Sequence, residues 1–168
     1  MNMEKKSARF FNMTQEVWER HANPLSVYSR YSCLPLLCVA IWSRVWIGWY
    51  SLLPVALVCL WVWLNPRVFG RPNSTDNWAS RAVLGERVLL AQSEEGIPRH
   101  HKSAIRTLKW VITFGFLCAV YGLIFLHLWL AVFGTIITIL AKTWFLDRMV
   151  WLYQDLSETH PEYKRWLY

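Results

Sequence analysis

The chain has 168 residues, of which 55% are hydrophobic and only 17% charged, against roughly 25% charged in an ordinary soluble domain. With twelve tryptophans and a mean hydropathy of +0.21, this composition excludes a disordered tail, a collagen-like chain and a typical soluble enzyme, and points to a small integral membrane protein. The net charge of +7 fits the basic loops that membrane proteins keep on the cytoplasmic side, so no nucleic-acid partner is expected.

Residues 1–24 contain no apolar run of the signal-peptide kind, so the first membrane segment is expected to act as its own insertion signal. Phe10, Phe11, Thr14, Val17, Trp18 and His21 share one helical face, and Asn12, Gln15, Glu16, Glu19 and Arg20 take the other. This predicts an amphipathic helix on the inner membrane surface, ending before Asn23-Pro24.

The stretch Cys33–Leu64 contains Arg44 as its one charge. As a single helix it would extend roughly 48 Å, against a hydrocarbon core of about 30 Å. A hairpin is therefore expected, with span one at Leu25–Trp42, span two at Ile47–Leu64, and a turn near Ser43, Arg44 and Gly48. The connection 65–106 opens with Asn65-Pro66-Arg67 and has turn chemistry at Arg71-Pro72-Asn73-Ser74. Asn73-Ser74-Thr75 fits a glycosylation sequon, without relevance on a cytoplasmic side. Asp76 is placed to cap a helix over Asn77–Ser93. That helix is apolar around most of its circumference, broken by Arg81, Glu86 and Arg87, and is expected to pack under the bundle. Gly96-Ile97-Pro98 ends it, and Arg99-His100-His101-Lys102 leads on.

A second long apolar stretch, Thr107–Leu146, repeats the plan: span three at Thr107–Leu126, a turn at His127, span four at Leu128–Leu146. Gly115, Ala119 and Gly122 form a small-residue face suited to close packing, within the bundle or between protomers. Helical spacing continues through Trp144, Arg148, Trp151, Leu152 and Asp155 until His160-Pro161, before an aromatic tail of Tyr163, Trp166, Leu167 and Tyr168. The expected fold is an all-α four-helix membrane bundle of two hairpins, in one domain. Its parts are 1–24, 25–64, 65–106, 107–147 and 148–168.

Every lysine and arginine except Arg44 falls at the termini, in the central connection, or at the span ends nearest them. The positive-inside rule then puts both termini in the cytoplasm, in the inner membrane. Trp42, Trp46, Trp49 and Trp129 gather at the outer turns, and Trp61, Trp63, Trp110, Trp144 and Trp151 at the inner ends, as interfacial anchors.

Arg30, Arg44, Lys142, Asp147 and Arg148 lie at membrane depth, where charge is costly; snorkelling or structural pairing is the plainer reading. Asp147, short and bracketed by Trp144 and Trp151, has Arg67 as its expected partner. The expected binding residues are Asn23, Arg44, Asn65, Arg67, Arg81, Glu86, Lys142, Asp147 and Arg148. His21, His100 and His101, with Glu86, are candidate metal ligands near the inner surface. The Glu-x-x-His pairs of di-iron bundles are absent from the spans, and His127 reads as interfacial. Cys33, Cys38, Cys59 and Cys118 sit in apolar runs as small hydrophobes, without zinc spacing. There is no P-loop, dinucleotide fingerprint or GxSxG.

The run Trp18-Glu19-Arg20-His21-Ala22-Asn23-Pro24, with Trp42-Ser43-Arg44 and Asn65-Pro66-Arg67, resembles a prokaryotic family of small multi-pass membrane proteins defined as a domain of unknown function. Trp78-Ala79-Ser80-Arg81, Gly85-Glu86-Arg87, Ile97-Pro98-Arg99-His100-His101 and Lys142–Met149 look like the rest of its pattern, over residues 18–153. The resemblance implies membrane residence and no substrate or cofactor.

Three functions follow as expectations. The first is transport of a small solute or anion by a homo-oligomer, through the positively charged inner mouth. The second is a membrane enzyme acting on a lipid-soluble substrate, which requires His21, Glu86, His100 and His101 to converge. The third is an accessory subunit or scaffold of a membrane complex.

Overall fold

The computed structural model describes residues 14–92 and 96–168. Phe10, Phe11 and Asn12 of the expected amphipathic face, and Ser93 at the end of the expected connecting helix, lie outside the described residues. Among the described residues all regular structure is helical. The order is α1 (Gln15–His21), α2 (Pro24–Ser29), a 3₁₀ turn (Arg30–Ser32), α3 (Cys33–Trp42), α4 (Arg44–Ile47) and a second 3₁₀ turn (Gly48–Ser51). These are followed by α5 (Leu52–Val68), α6 (Trp78–Ala91), α7 (Arg99–Ile124), α8 (Leu128–Thr159) and α9 (Pro161–Lys164).

Among the described residues three stretches are long and apolar enough to cross a membrane: Pro24–Val68, Arg99–Ile124 and Leu128–Thr159. Four were expected. The difference lies in the first stretch, whose 45 residues would reach about 68 Å if straight. It is broken at Gly48, where φ is +56° and ψ is −132°, a conformation that only glycine adopts at low cost. Beyond the break α5 contacts α3. Pro35 offers no N–H to the Tyr31 carbonyl, and the chain tightens into the 3₁₀ turn at Arg30–Ser32 just before it.

Burial is inverted relative to a soluble protein. The most apolar window of the first stretch is 6% buried, and those of α7 and α8 are 28% buried. Leu52, Leu53, Leu57, Phe114, Leu117 and Leu140 are all exposed. A contiguous apolar surface of this kind is stable against lipid, not water. Exposed Trp46, Trp49 and Trp129 ring the turn end, and Trp63, Trp110, Trp144 and Trp151 ring the other.

The closely packed core lies at that second, polar end. Leu84, Val88 and Leu89 of α6 meet Ile105 and Leu108 of α7 and Phe145, Met149, Leu152, Tyr153 and Leu156 of α8, closed off by Tyr163. This bears out α6 as a helix packed under the bundle. Its N-cap is Asn77, whose side chain accepts from the Ser80 N–H at 2.9 Å; the expected cap, Asp76, instead pairs with Arg81. The small-residue face is used within the chain. A Cβ on Gly134 would stand 2.3 Å from the Ala119 nitrogen, and one on Gly122 would stand 2.4 Å from that of Ala131, so α7 and α8 are in backbone contact.

In helix α1, Thr14 is the N-cap rather than a member of the apolar face. Trp18 packs on Ala22, Val27, Ala79 and Val83, so this part of the face covers protein. The aromatic tail also docks: the Thr75 N–H donates to the Tyr168 carbonyl at 2.7 Å, and the Arg87 guanidinium lies 3.9 Å over the Trp166 ring.

Candidate functional site

Where α2, α6 and α8 converge at the polar end, a cleft of about 220 Å³ opens, lined by Val27, Arg30, Tyr31, Leu34, Glu86, Thr138, Ile139, Lys142 and Leu146. Local structure places its charged residues. The 3₁₀ turn carries Arg30, whose Nε donates to the Ser26 carbonyl at 3.0 Å and whose Nη1 donates to His21 Nε2 at 2.6 Å. Glu86 follows Gly85, where a Cβ would stand 1.9 Å from the Met149 carbonyl oxygen. That close crossing of α6 on α8 brings Glu86 Oε1 within 2.6 Å of Lys142 Nζ. Lys142 also lies 4.7 Å over the Phe145 ring. Tyr31 and Thr143 share a hydrogen bond of 3.1 Å at the same level.

The lining therefore holds two cations against one carboxylate, over an apolar floor. His21 behind Arg30 is neutral at pH 7: burial, then the charges of Arg30 and Lys142, holds its pKa well below the usual imidazole value. Because its Nε2 accepts from Arg30, its proton sits on Nδ1. That nitrogen is buried without a hydrogen-bond partner among the described residues. A buried donor lacking an acceptor, beside an excess of positive charge, is suited to an anion.

A second cavity continues along the same α3–α8 seam. It measures about 460 Å³ and is walled by Pro35, Cys38, Val39, Trp42, Trp46, Leu123, Leu128, Ala131, Val132, Thr135 and Ile136. Leu34 and Thr138 line the charged cleft, and Pro35 and Ile136 line the apolar cavity. They are two separate cavities on one seam, with Leu34 and Pro35 of α3 and Thr138 and Ile136 of α8 divided between their linings.

The remaining expected binding residues are mostly structural. Asn23 caps α2 through the Leu25 N–H at 2.9 Å and donates to the Gly70 carbonyl at 3.0 Å. Asn65 is fully buried, with hydrogen bonds to the hydroxyls of Ser26 at 2.9 Å and Ser29 at 2.7 Å. Arg44 donates to the carbonyls of Leu123 at 2.5 Å and Ile124 at 2.8 Å, capping the end of α7. Arg67 donates to the Trp63 carbonyl and lies 4.2 Å over the Trp63 ring, and its own carbonyl accepts from Arg20. Asp147 takes the indole N–H groups of Trp78 at 3.2 Å and Trp151 at 3.3 Å. Two indoles thus replace Arg67, the expected partner. Arg81 pairs with Asp76, and Arg148 is partly buried on α8. Only Glu86 and Lys142 of the expected set line the cleft.

The four-residue convergence required for the enzyme reading is not found. His21 and Glu86 belong to the neighbourhood of Arg30 and Lys142, whereas His100 and His101 meet Asp155. His101 Nε2 is 2.8 Å and His100 Nε2 3.3 Å from Asp155 Oδ2. Tyr31 and Asp155 were not singled out as site residues, and Arg30 stood only among the charges at membrane depth. Nothing local marks them: Asp155 lies 54 residues from His101, and only the packing of α7 on α8 joins them.

No curated protein and no solved structure matches the chain. Residues 2–166 match a family of unknown function, DUF6653. That span extends past residues 18–153, on which the motif resemblance rests, into both terminal segments. On this near-complete coverage, the chain belongs to the family of unknown function DUF6653.

Proposed function

We propose that this is a multi-pass inner-membrane protein that binds an anionic amphiphile, headgroup at Arg30 and Lys142 and tail along the α3–α8 seam. The single observation that carries this reading is the cleft lined by Arg30 and Lys142, with an apolar cavity farther along the same seam. In the proposed topology the chain crosses four times, as Pro24–Trp42, α5, α7 and α8, with both termini and α6 in the cytoplasm. The supports are the break at Gly48 and the concentration of Lys and Arg at the polar end. From Arg30 to Trp42 the helix advances about 18 Å, slightly more than one leaflet of a hydrocarbon core about 30 Å thick. A lipid tail anchored at the inner headgroup level matches that length.

This carries forward the anion preference of the transport reading. The close α7–α8 contact leaves the two cavities on the flank of the bundle, where lipid enters from the side. Movement of the bound molecule across the bilayer would then involve a second copy of the chain, as the homo-oligomer expectation holds.

Two measurements test the proposal. Delipidated protein in neutral detergent, titrated with phosphatidylglycerol or phosphatidylcholine and read by native mass spectrometry, is expected to retain the anionic lipid preferentially. The preference should disappear in Arg30→Gln/Lys142→Gln and persist in Arg148→Gln. Equal retention of both lipids by the wild type overturns the binding reading. For topology, single cysteines at Tyr50, which is exposed, and Ser157 in a cysteine-free background should label from opposite sides; labelling of both from one side overturns it.

A further inference from the structure

We infer that His100, His101 and Asp155 form a binding site for a first-row divalent transition cation of the Zn²⁺ or Fe²⁺ class, separate from the anion cleft. His100 and His101 lie in the first turn of α7, and Asp155 lies in the extension of α8 beyond the apolar window. One ligand atom from each residue falls within a sphere where all three lie within 4.8 Å of one another. Metal–nitrogen bonds of 2.0–2.1 Å and metal–oxygen bonds of 2.0–2.2 Å, at angles between octahedral and tetrahedral, separate neighbouring ligand atoms by about 2.9–3.4 Å. Of the two His–Asp separations, 3.3 Å lies inside that range and 2.8 Å just below it, so the groups need to part only slightly to admit the cation. His100 is exposed, so rotation of its ring closes the remaining His–His gap.

The environment adds an independent reason. The His101 side chain is 4% exposed, while His100 and Asp155 are 69% and 46% exposed. One ligand is thus fixed in the core formed by Ile105, Leu152 and Leu156, and two face solvent, giving an entry path. The two imidazoles lie 4.2 Å apart, centroid to centroid, at 43°; this brings both Nε2 atoms to the same carboxylate oxygen. When the cation binds, each ring carries its proton on Nδ1 and offers the Nε2 lone pair, and Asp155 offers Oδ2. Two imidazoles and a carboxylate select borderline cations over Mg²⁺ and Ca²⁺, which require oxygen ligands. Three protein ligands leave positions open to water, as in sites that activate a bound ligand instead of a closed structural site. The cation would also tie the start of α7 to the extension of α8.

The test uses full-length, tag-free protein in detergent, stripped with chelator and then equilibrated with Zn²⁺ or Mg²⁺ alone. Bound metal is measured after dialysis and affinity by competition with a chromophoric chelator. One Zn²⁺ per chain and no Mg²⁺ are expected. His100→Ala and Asp155→Asn should each weaken Zn²⁺ binding at least about tenfold, while His21→Gln and Glu86→Gln leave it unchanged. His100 is exposed, so its variant is expected to fold; thermal unfolding in the absence of metal checks both ligand variants. The inference is overturned if the wild type retains no Zn²⁺ or if both ligand variants retain it at wild-type affinity. It is equally overturned if Asp155→Asn lowers the metal-free melting temperature while wild type binds no metal, which identifies a hydrogen-bonded pair only. Lipid binding at Arg30 and Lys142 is read separately, so failure at one site is distinguishable from failure at the other.

Discussion

Replacing Gly85 by alanine adds one methyl group at the point where α6 touches α8. The added Cβ would stand 1.9 Å from the Met149 carbonyl oxygen and 2.5 Å from its carbon, and ordinary contact begins near 3.4 Å. The obstacle is backbone, so it cannot rotate aside, and α6 must retreat by about 1.5 Å or tilt. Forced displacement of this kind typically costs 1–3 kcal/mol; the backbone contact and the fully buried Val88 and Met149 beside it argue for about 3 kcal/mol. The same retreat takes Glu86 Oε1 from 2.6 Å to about 4 Å from Lys142 Nζ, beyond hydrogen-bond reach. Thermal unfolding in detergent, with the lipid-retention assay on the same preparation, reads both effects. Gly85→Ala should melt well below wild type and bind anionic lipid differently, while Gly70→Ala, which meets nothing within 4 Å, should match wild type. A Gly85→Ala protein as stable as wild type would refute the close α6–α8 crossing and the account of how Glu86 and Lys142 are brought together.

Gly48→Ala forces an L residue into the conformation at φ +56°, ψ −132° and should cost about 1–3 kcal/mol, read as a lowered melting temperature. Asn65→Ala leaves the buried Ser26 hydroxyl without its side-chain partner and should cost about 1–3 kcal/mol by the same assay; Asn65→Asp should not rescue it, because a buried unpaired carboxylate is costlier still. His21 gives a pH dependence with a definite sign. Its folded pKa lies below the unfolded value, so the unfolded chain takes up a proton first as pH falls. Its contribution is fully present above about pH 6.5 and is lost as pH falls below that toward the folded pKa. His21→Gln should flatten this part of the stability profile, and an unchanged slope would remove His21 as its source.

Much of the architecture is legible from hydropathy, because a membrane span must be long, apolar and hydrogen-bonded within itself. The turns near Gly48 and His127, helix α6 and the extension of α8 to Thr159 all follow from that pattern and from glycine and proline placement. What hydropathy does not resolve is how amphipathic faces are used. The apolar face of α1 reads as lipid-facing, and only the packing of Trp18 against Val27 and Val83 shows that part of it covers protein. Asp147 shows a similar limit: an indole N–H answers a carboxylate as an arginine does, but charge patterning registers only the arginine. In the cleft, Glu86 and Lys142 stand among the expected binding residues, whereas Arg30 reads only as a charge at membrane depth with snorkelling as its plainer explanation. Its inward placement depends on the 3₁₀ turn ahead of Pro35 and on His21, which lies across a helix break.

The most direct measurement of the central claim is to locate the bound lipid. Protein reconstituted in mixed bilayers with a photoactivatable anionic phospholipid should cross-link within residues 27–46 and 128–146, which supply most of the lining of the two cavities. A zwitterionic analogue should label these segments much less, and Arg30→Gln/Lys142→Gln should abolish the difference. Labelling spread over the exposed faces of α5 and α7, with no dependence on headgroup charge, would contradict the account.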